Sequence, residues 1–214
     1  MTAVPFVVCA LIVAVISYLL GSLPFAVIVS RAMGLQDPRS FGSGNPGATN
    51  VLRSGNKTAA ILTLLGDACK GYLAVYLCLL AIEHWHWAAS LAGLSALCAF
   101  LGHLFPIFLG FKGGKGVATA IGVILALNPW LALAAIGTWL IVAYVTRYSS
   151  LAAIISAILV PLFYLLGGNV TWPLQSSLVI CLIFISAALL WRHAGNIQRL
   201  LQGKESKIGK KSKP

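Results

Sequence analysis

Residues 117–146 read VATAIGVILALNPWLALAAIGTWLIVAYVT, an uncharged stretch that is interrupted only by the pair Asn128-Pro129. Apolar runs of about 20 residues are typical of helices that cross a lipid bilayer. Proline has no backbone N–H and therefore ends or kinks a helix. The stretch forms either one long helix kinked at Pro129 or two helices, 117–128 and 130–146, and this choice sets the topology of the whole chain.

The composition of the chain also indicates a membrane environment. Hydrophobic residues make up 59% of the sequence and charged residues only 9%, whereas soluble domains carry about 25% charged residues. We predict an all-α integral membrane protein whose first span is retained, because the first apolar run is too long for a signal peptide. The seven candidate transmembrane helices are 4–30, 58–82, 87–109, 117–128, 130–146, 150–166 and 174–191.

The distribution of basic residues predicts the orientation of these spans. All of the 15 Lys and Arg residues except Lys70 fall in alternate connections and in the C-terminal tail. Basic residues favour the cytoplasmic side of a membrane, so the N-terminus is predicted outside and the C-terminus in the cytoplasm. A single helix over 117–146 would change the number of membrane crossings by one and place the strongly basic tail outside. The charge distribution therefore favours two helices.

The net charge of +11 is spread over short loops and the tail. Nucleic-acid binding usually needs a basic face on one domain, so we expect no nucleic acid among the partners. Anionic headgroups of the lipid bilayer and phosphorylated small molecules fit this distribution better. We predict a single polytopic membrane domain over 1–203 and a basic cytoplasmic tail over 204–214, which is partly disordered after Gly203.

The first predicted cytoplasmic loop contains FGSGNPGATNVLR at 41–53. Its G-x-G-x-x-G spacing belongs to dinucleotide-binding proteins only after a strand in a βαβ unit, which does not fit between two spans. A tight turn is one alternative. The other is an anion site, because glycine lets backbone N–H groups converge and Arg53 adds a fork of donors.

A second loop, GFKGGKG at 110–116, precedes the fourth predicted span. It is not a P-loop, because Gly116 follows Lys115 where a Ser or Thr is required. Two lysines among glycines ahead of a helix N-terminus nevertheless favour a phosphate site. Charge anchoring at the membrane surface is the alternative for Lys112 and Lys115, but it leaves the glycines unexplained.

Polar residues in or beside the spans complete the candidate site. Asp67 and Lys70 are three residues apart on one helix face, and we expect a structural ion pair. His103 ends the third span and is either an interfacial anchor or a group for proton transfer or phosphate contact. Ser150 and the segment 192–196 lie at the same predicted face.

Together these stretches resemble the integral membrane type of bacterial acyl-phosphate:glycerol-3-phosphate acyltransferases. The resemblance is carried by Gly21-Ser22-Leu23-Pro24-Phe25, Gly42 to Arg53, Asp67 with Lys70-Gly71, Gly102 to Thr119, Ser150-Leu151, His193 to Asn196, and Gly203-x-Glu205-x-Lys207. It implies seven spans in the bacterial cytoplasmic (inner) membrane. It also implies that an acyl group passes from acyl phosphate to glycerol 3-phosphate, without direct use of acyl-CoA or acyl carrier protein.

The resemblance extends to individual positions and partners. It implies site positions at Ser43, Arg53, Lys112, Lys115, Ser150 and Asn196. Glu205 matches an acidic position that supports the fold, whereas Ala194 and Ala153 depart from the usual Arg and Ser. A soluble acyl phosphate synthase is implied as a donor partner, and we expect neither a cofactor nor a metal.

Two anionic substrates require clustered donors, so we expect catalysis by positioning and electrostatic stabilisation. The proton of the attacking hydroxyl passes either to a substrate phosphate or to His103. The predicted catalytic residues are His103, Lys115, Ser43 and Asn196. The predicted substrate-binding residues are Gly42, Gly44, Asn45, Gly47, Thr49, Asn50, Arg53, Lys112, Gly113, Gly114, Gly116, Ser150 and His193. The alternatives are a membrane transporter of a phosphorylated anion, which would place its site at the bilayer midplane, and a non-catalytic membrane scaffold.

Overall fold

The computed structural model describes residues 5–208, which form helices and no β-strand. The α-helices are α1 (Phe6–Gly21), α2 (Phe25–Ala32), α3 (Ala48–Val51), α4 (Lys57–Trp85), α5 (Leu91–Leu104), α6 (Val117–Leu127), α7 (Pro129–Thr146), α8 (Ser149–Leu166), α9 (Ser176–Arg192) and α10 (Ala194–Leu201). Short 3-10 turns lie at Pro38–Ser40, Leu52–Ser54 and Ile107–Leu109. The predicted all-α class is therefore confirmed.

Several helical segments are long and apolar enough to cross a membrane. Five candidates are Phe6–Ala32, Lys57–Trp85, Leu91–Leu109, Pro129–Thr146 and Ser149–Leu166. A sixth is formed by α9 together with α10, which meet at a bend of 56°. The protein is thus a multi-pass membrane protein by length and composition of its helices.

The stretch 117–146 forms two separate helices, as the charge distribution predicted. Asn128 has an extended backbone between α6 and α7, and its side chain accepts a hydrogen bond from the N–H of Leu131. Pro129 occupies the first helical position, where its missing N–H costs nothing. The 11 residues of α6 extend only about 16 Å, about half of the hydrocarbon thickness of a bilayer.

Two predicted spans are broken where proline removes a backbone donor. The span 4–30 is interrupted at 22–24, because Pro24 cannot continue α1 and also restricts Leu23. The span 87–109 is helical only from Leu91 to Leu104 and resumes as a 3-10 turn after Pro106. These two breaks lie beside the candidate site and supply backbone carbonyls to it.

Small residues bring the helix backbones into direct contact around the site. A side chain at Gly21 would collide with the backbone of Ala99 on α5, and one at Gly122 would collide with the backbone of Ala68 on α4. Close contacts between small residues are a usual way for helices to associate in lipid. This packing holds α1 against α5 and α4 against α6.

The start of the tail contacts the helices. Ile208 donates its N–H to the carbonyl of Arg147 at 2.7 Å, and Lys207 lies over the Tyr148 ring. Residues 209–214 lie outside the described residues, and partial disorder of the tail stays a prediction. The end of the helices that carries 41–53, 105–116 and 204–208 is called the loop face below.

Candidate active site

A chain of polar contacts links the second loop, α8, α10 and the tail at the loop face. Lys115 Nζ donates to Asn196 Oδ1 at 2.5 Å, and Asn196 Nδ2 donates to Glu205 Oε1 at 2.6 Å. Ser150 Oγ donates to the same Glu205 oxygen at 2.8 Å, while Arg199 Nε donates to Oε2 at 2.8 Å. Residues 115, 150, 196 and 205 are therefore brought together, although they are distant in sequence.

The electrostatic environment of this chain is strongly basic. Burial is the main reason that the pKa of Lys115 is lowered to about 8; the positive charges of Arg199, Arg53 and Arg192 add to the lowering, and the charge of Glu205 opposes it. Burial also raises the pKa of Glu205, but its hydrogen bonds outweigh burial and hold that pKa below its usual value. Several cations share one carboxylate, so the cluster retains positive charge that favours a phosphate.

The two glycines before Lys115 form backbone hydrogen bonds within the protein. The N–H groups of Gly113 and Gly114 donate to the carbonyls of Leu104 and His103 at the end of α5. Their own carbonyls accept from Arg192, at 2.8 Å for Gly113 and 3.1 Å for Gly114. Because these N–H groups are already occupied, the two glycines shape the loop instead of offering free donors to an anion.

Open donors remain at the start of α6. Gly116 ends the loop with φ at 88°, a conformation that suits glycine. Its position is also crowded, since a side chain there would collide with the Phe100 ring. The first N–H groups of a helix lack intrahelical partners, so the N-terminus of α6 presents donors next to Lys115.

Asn50 organises the first loop internally. Its Oδ1 accepts from the N–H of Ser43 at 2.9 Å and from the Ser43 hydroxyl at 3.2 Å. Its Nδ2 donates to the carbonyl of Pro38 at 2.6 Å and to that of Phe41 at 3.2 Å. All of its main hydrogen-bonding capacity is thus used within the loop, which leaves the exposed Ser43 at the surface of a fixed turn.

Glycines and Arg53 shape the rest of this loop. Gly42 and Gly44 have φ of 61° and 65°, and a side chain at Gly42 would collide with the Asn50 amide and crowd Arg53. Gly47 precedes the short helix α3. Arg53 donates to Ser206 Oγ at 2.9 Å, so the first loop reaches the tail that carries Glu205.

Two of the candidate residues lie apart from these contacts. Lys112 is exposed and makes no side-chain hydrogen bond or ion pair to the residues that the structure describes. Thr49 is likewise exposed. Asn45 packs near Gly47 within the loop. The structure thus places Lys115, not Lys112, in the polar cluster.

His103 is buried beneath the second loop. Its exposed fraction is 7%, and its Nδ1 lies 3.5 Å from Asp67 Oδ1. Asp67 also pairs with Lys70 at 2.7 Å, as the sequence predicted, and both side chains are almost fully buried. The alternative in which His103 is an exposed interfacial anchor is therefore wrong.

His193 and Arg192 lie where α9 meets α10. The buried His193 places Nδ1 2.8 Å from the carbonyl of Leu189, so it bonds to its own helix. The sequence analysis placed Arg192 in the basic tail, at the same face as the candidate site, but did not predict that it holds the second loop. A basic residue that directly ends an apolar helix was the available signal, but charge anchoring explains that pattern equally well.

An apolar cleft adjoins the polar cluster. It lies between α6, α7, α8 and α9 and is partly open to the surface. Val117, two residues after Lys115, lines one part of it, while Trp139 and Val160 line other parts. The cleft is almost wholly apolar, so it suits a hydrocarbon chain whose polar head reaches Lys115.

These features define a multi-pass, all-helical membrane protein with a basic polar site beside an apolar cleft. Solved structures share the fold. The chain matches PlsY (YgiH), described as an integral membrane glycerol 3-phosphate acyltransferase in its glycerol 3-phosphate form, with a TM-score of 0.84 and 38% identity over 94% of this chain and 96% of that one. The lysophosphatidic acid form matches with a TM-score of 0.83 and 36% identity, over 94% and 95% of the two chains.

Sequence comparisons agree with the structural match. A glycerol-3-phosphate acyltransferase from Bordetella avium is 58% identical over 203 residues, which cover 94% of each chain. A relative of the same name from Ralstonia nicotianae is 56% identical and covers 97% of this chain and 98% of its own. The profile of the family described as Glycerol-3-phosphate acyltransferase matches residues 11–203, and the chain belongs to that family.

Proposed function

We propose that the protein transfers a fatty acyl group from acyl phosphate to glycerol 3-phosphate. The products are 1-acyl-glycerol 3-phosphate and inorganic phosphate, in an early step of phospholipid synthesis. The observation that carries this proposal is the buried Lys115–Asn196 contact among several arginines, directly beside an apolar cleft. A basic site can hold two phosphoryl groups close together, while the cleft takes the acyl chain.

The reaction needs little chemistry from the protein. A hydroxyl oxygen of glycerol 3-phosphate attacks the acyl carbonyl carbon, the new ester C–O bond forms, and the bond from carbon to the phosphate oxygen breaks. The hydroxyl proton passes to a phosphate oxygen, and inorganic phosphate leaves. Positioning and charge stabilisation then account for catalysis.

Particular residues receive roles in this proposal. Lys115 and Arg53 hold the phosphoryl groups, and the open N–H groups of α6 add donors. Asn196 and Ser150 hold Lys115 and Glu205 in place. The exposed Ser43 faces solvent at the loop face and contributes a hydroxyl to one phosphoryl group.

The acyl chain is proposed to lie in the cleft lined by Val117, Trp139 and Val160. Replacing a small wall residue by a large one shortens the available space. Ala157→Leu should therefore shift donor preference toward shorter acyl phosphates, since Ala157 lines the cleft. An unchanged preference would mean that the chain lies elsewhere between the helices.

The membrane arrangement is also proposed. Seven spans, with α6 as a short fourth span, place the N-terminus outside and the loop face in the cytoplasm of a bacterial inner membrane. The membrane domain is 1–203 and the tail is 204–214. The charge distribution supports this orientation, and a soluble acyl phosphate synthase would deliver the donor at the loop face.

The decisive experiment uses purified protein in detergent with labelled glycerol 3-phosphate. Acyl phosphate, acyl-CoA and acyl carrier protein loaded with the same chain are supplied in turn. Labelled lysophosphatidate formed with acyl phosphate alone is the expected result. Absence of product with every donor, together with glycerol 3-phosphate flux into proteoliposomes, would replace the proposal with a transporter.

A further inference from the structure

Three ionisable groups lie together in the interior between α4 and α5. The exposed fractions of Asp67, Lys70 and His103 are 3%, 3% and 7%. Ionisable groups inside membrane helices are costly and usually mark a functional requirement. Neither phosphoryl group of the proposed reaction requires a carboxylate, so this buried ion cluster (Asp67, Lys70 and His103) needs its own explanation.

The cluster is bonded to a helix break on one side. Lys70 Nζ donates to the carbonyl of Leu23 at 2.6 Å, in the segment where Pro24 separates α1 from α2. Lys70 also pairs with Asp67 at 2.7 Å. The cluster therefore holds the break between α1 and α2 against α4 and fixes the position of Asp67 next to α5.

On its other side the cluster supports the second loop. The His103 ring packs against Gly114 so closely that a side chain at Gly114 would collide with Nε2. The Gly114 N–H donates to the His103 carbonyl at 3.2 Å. Arg192 holds the two glycine carbonyls from the opposite direction. The backbone immediately before Lys115 is thus clamped between His103 and Arg192.

We infer that Asp67, Lys70 and His103 are positioning residues, which set the location of Lys115 through the Gly113-Gly114 backbone. His103 Nδ1 is buried beside Asp67, and the Nε2 side of the ring packs against Gly114. These two contacts hold the ring against the backbone that leads to Lys115. The inference rests on the proposed function, because Lys115 is the residue being positioned.

The first test is Asp67→Asn, which removes the charge but keeps the shape. A misplacement of about 1 Å at a reacting group can cost on the order of 100-fold in rate. We expect kcat to fall by about 10- to 100-fold, with the KM for both substrates within about threefold of wild type. Glu83→Gln is the matched control, because Glu83 is exposed at the far end of the same helix. A wild-type kcat in Asp67→Asn would overturn the inference.

The second test uses a steric exchange and does not depend on the ion pair. The backbone φ of Gly114 is not positive, so the His103 ring is the obstacle to an alanine there. Gly114→Ala should lower kcat strongly, because the added methyl group collides with the His103 ring and displaces the backbone before Lys115. Gly137→Ala is the matched control, because a side chain there would meet no atom within 4 Å, and it should keep the wild-type kcat. A wild-type kcat in Gly114→Ala would overturn the inference.

These results are distinct from a failure of the proposed function. If wild-type protein forms no lysophosphatidate from acyl phosphate, the function itself is wrong. If wild-type protein is active, the two tests concern the buried ion cluster alone. Each variant must elute from a size-exclusion column as a single symmetric peak. If Asp67→Asn does not accumulate, Gly114→Ala alone tests the inference.

Discussion

Lys115 on the second loop and Asn196 on α10 are joined by a hydrogen bond of 2.5 Å across 81 residues of sequence. The same amide donates to Glu205 at 2.6 Å. An amide accepts and donates at once without carrying charge, so Asn196 separates the ammonium from the carboxylate. Lys115 therefore keeps its charge available for a phosphate.

Asn196→Asp should impair the enzyme more than a neutral change would. The new carboxylate would pair directly with Lys115 and repel Glu205, so the site would lose positive charge. We expect the KM for glycerol 3-phosphate to rise about tenfold or more, measured with labelled substrate and a fixed acyl phosphate concentration. Gln198→Glu adds the same charge at an exposed position of the same helix and should leave KM near wild type. Equal KM values in the two variants would contradict the assigned role of Asn196.

The lowered pKa of Lys115 predicts a pH dependence. Burial brings this pKa to about 8, so the positive form decreases as pH rises through that value. Since the phosphate needs the ammonium, kcat/KM should fall above about pH 8, after subtraction of the uncatalysed hydrolysis of acyl phosphate. Lys115→Arg stays protonated in this range and should lack the decline, even if its rate is lower. The same decline in Lys115→Arg would assign it to another group.

Arg53 should contribute to phosphate binding, although its side chain donates a hydrogen bond to Ser206 in this structure. A hydrogen bond to a charged group is worth about 1.5–3 kcal/mol, so Arg53→Ala should lower kcat/KM by roughly 10- to 100-fold. Two controls separate charge from contact. Ser206→Ala removes the partner and Lys57→Ala removes an exposed cation of the same connection, and both should retain activity. Retained activity in Arg53→Ala, with normal membrane insertion, would remove Arg53 from the site.

Much of this architecture was predictable because lipid simplifies the relation between sequence and structure. Uncharged runs predicted the helices, and the Asn128-Pro129 pair placed the boundary between α6 and α7 correctly. The helix break near Pro24 was harder to predict. The apolar run continues through it, and the carbonyl of Leu23 accepts a hydrogen bond from Lys70 on another helix.

The candidate site was less predictable, since the sequence does not reveal which donors are already occupied. Lys112 and Lys115 look alike in the sequence, yet only Lys115 reaches Asn196. The N–H groups of Gly113 and Gly114 donate to carbonyls at the end of α5. The side-chain amide of Asn50 similarly forms its hydrogen bonds within its own loop. Such assignments depend on contacts between distant segments, which local spacing does not encode.

Glu205 should stabilise the loop face through its charge. It accepts hydrogen bonds from Ser150, Asn196 and Arg199, which hold its pKa below the usual 4.5. The stabilisation is therefore complete above about pH 4.5 and is lost as pH falls through the lower pKa of the folded state. Glu205→Gln should lower the melting temperature in detergent at pH 7 by several degrees, and the difference from wild type should shrink at acid pH. A difference that is constant with pH would show that charge is not the cause.

The contact between α4 and α6 gives the sharpest prediction about stability. A side chain at Gly122 would collide with the backbone of Ala68, whereas one at Gly137 on α7 would meet no atom within 4 Å. Overpacking a close helix contact costs about 1–3 kcal/mol, which corresponds to a loss of roughly 2–10 °C for a chain of this size. Gly122→Ala should therefore melt at a lower temperature in detergent, while Gly137→Ala should melt at the wild-type temperature or slightly above it because alanine favours helix. The N-terminus of the short helix α6 lies next to Lys115. Gly122→Ala should therefore also be less active than wild type at temperatures where it is still folded. Equal melting temperatures for the two variants would mean that α4 and α6 are not in backbone contact.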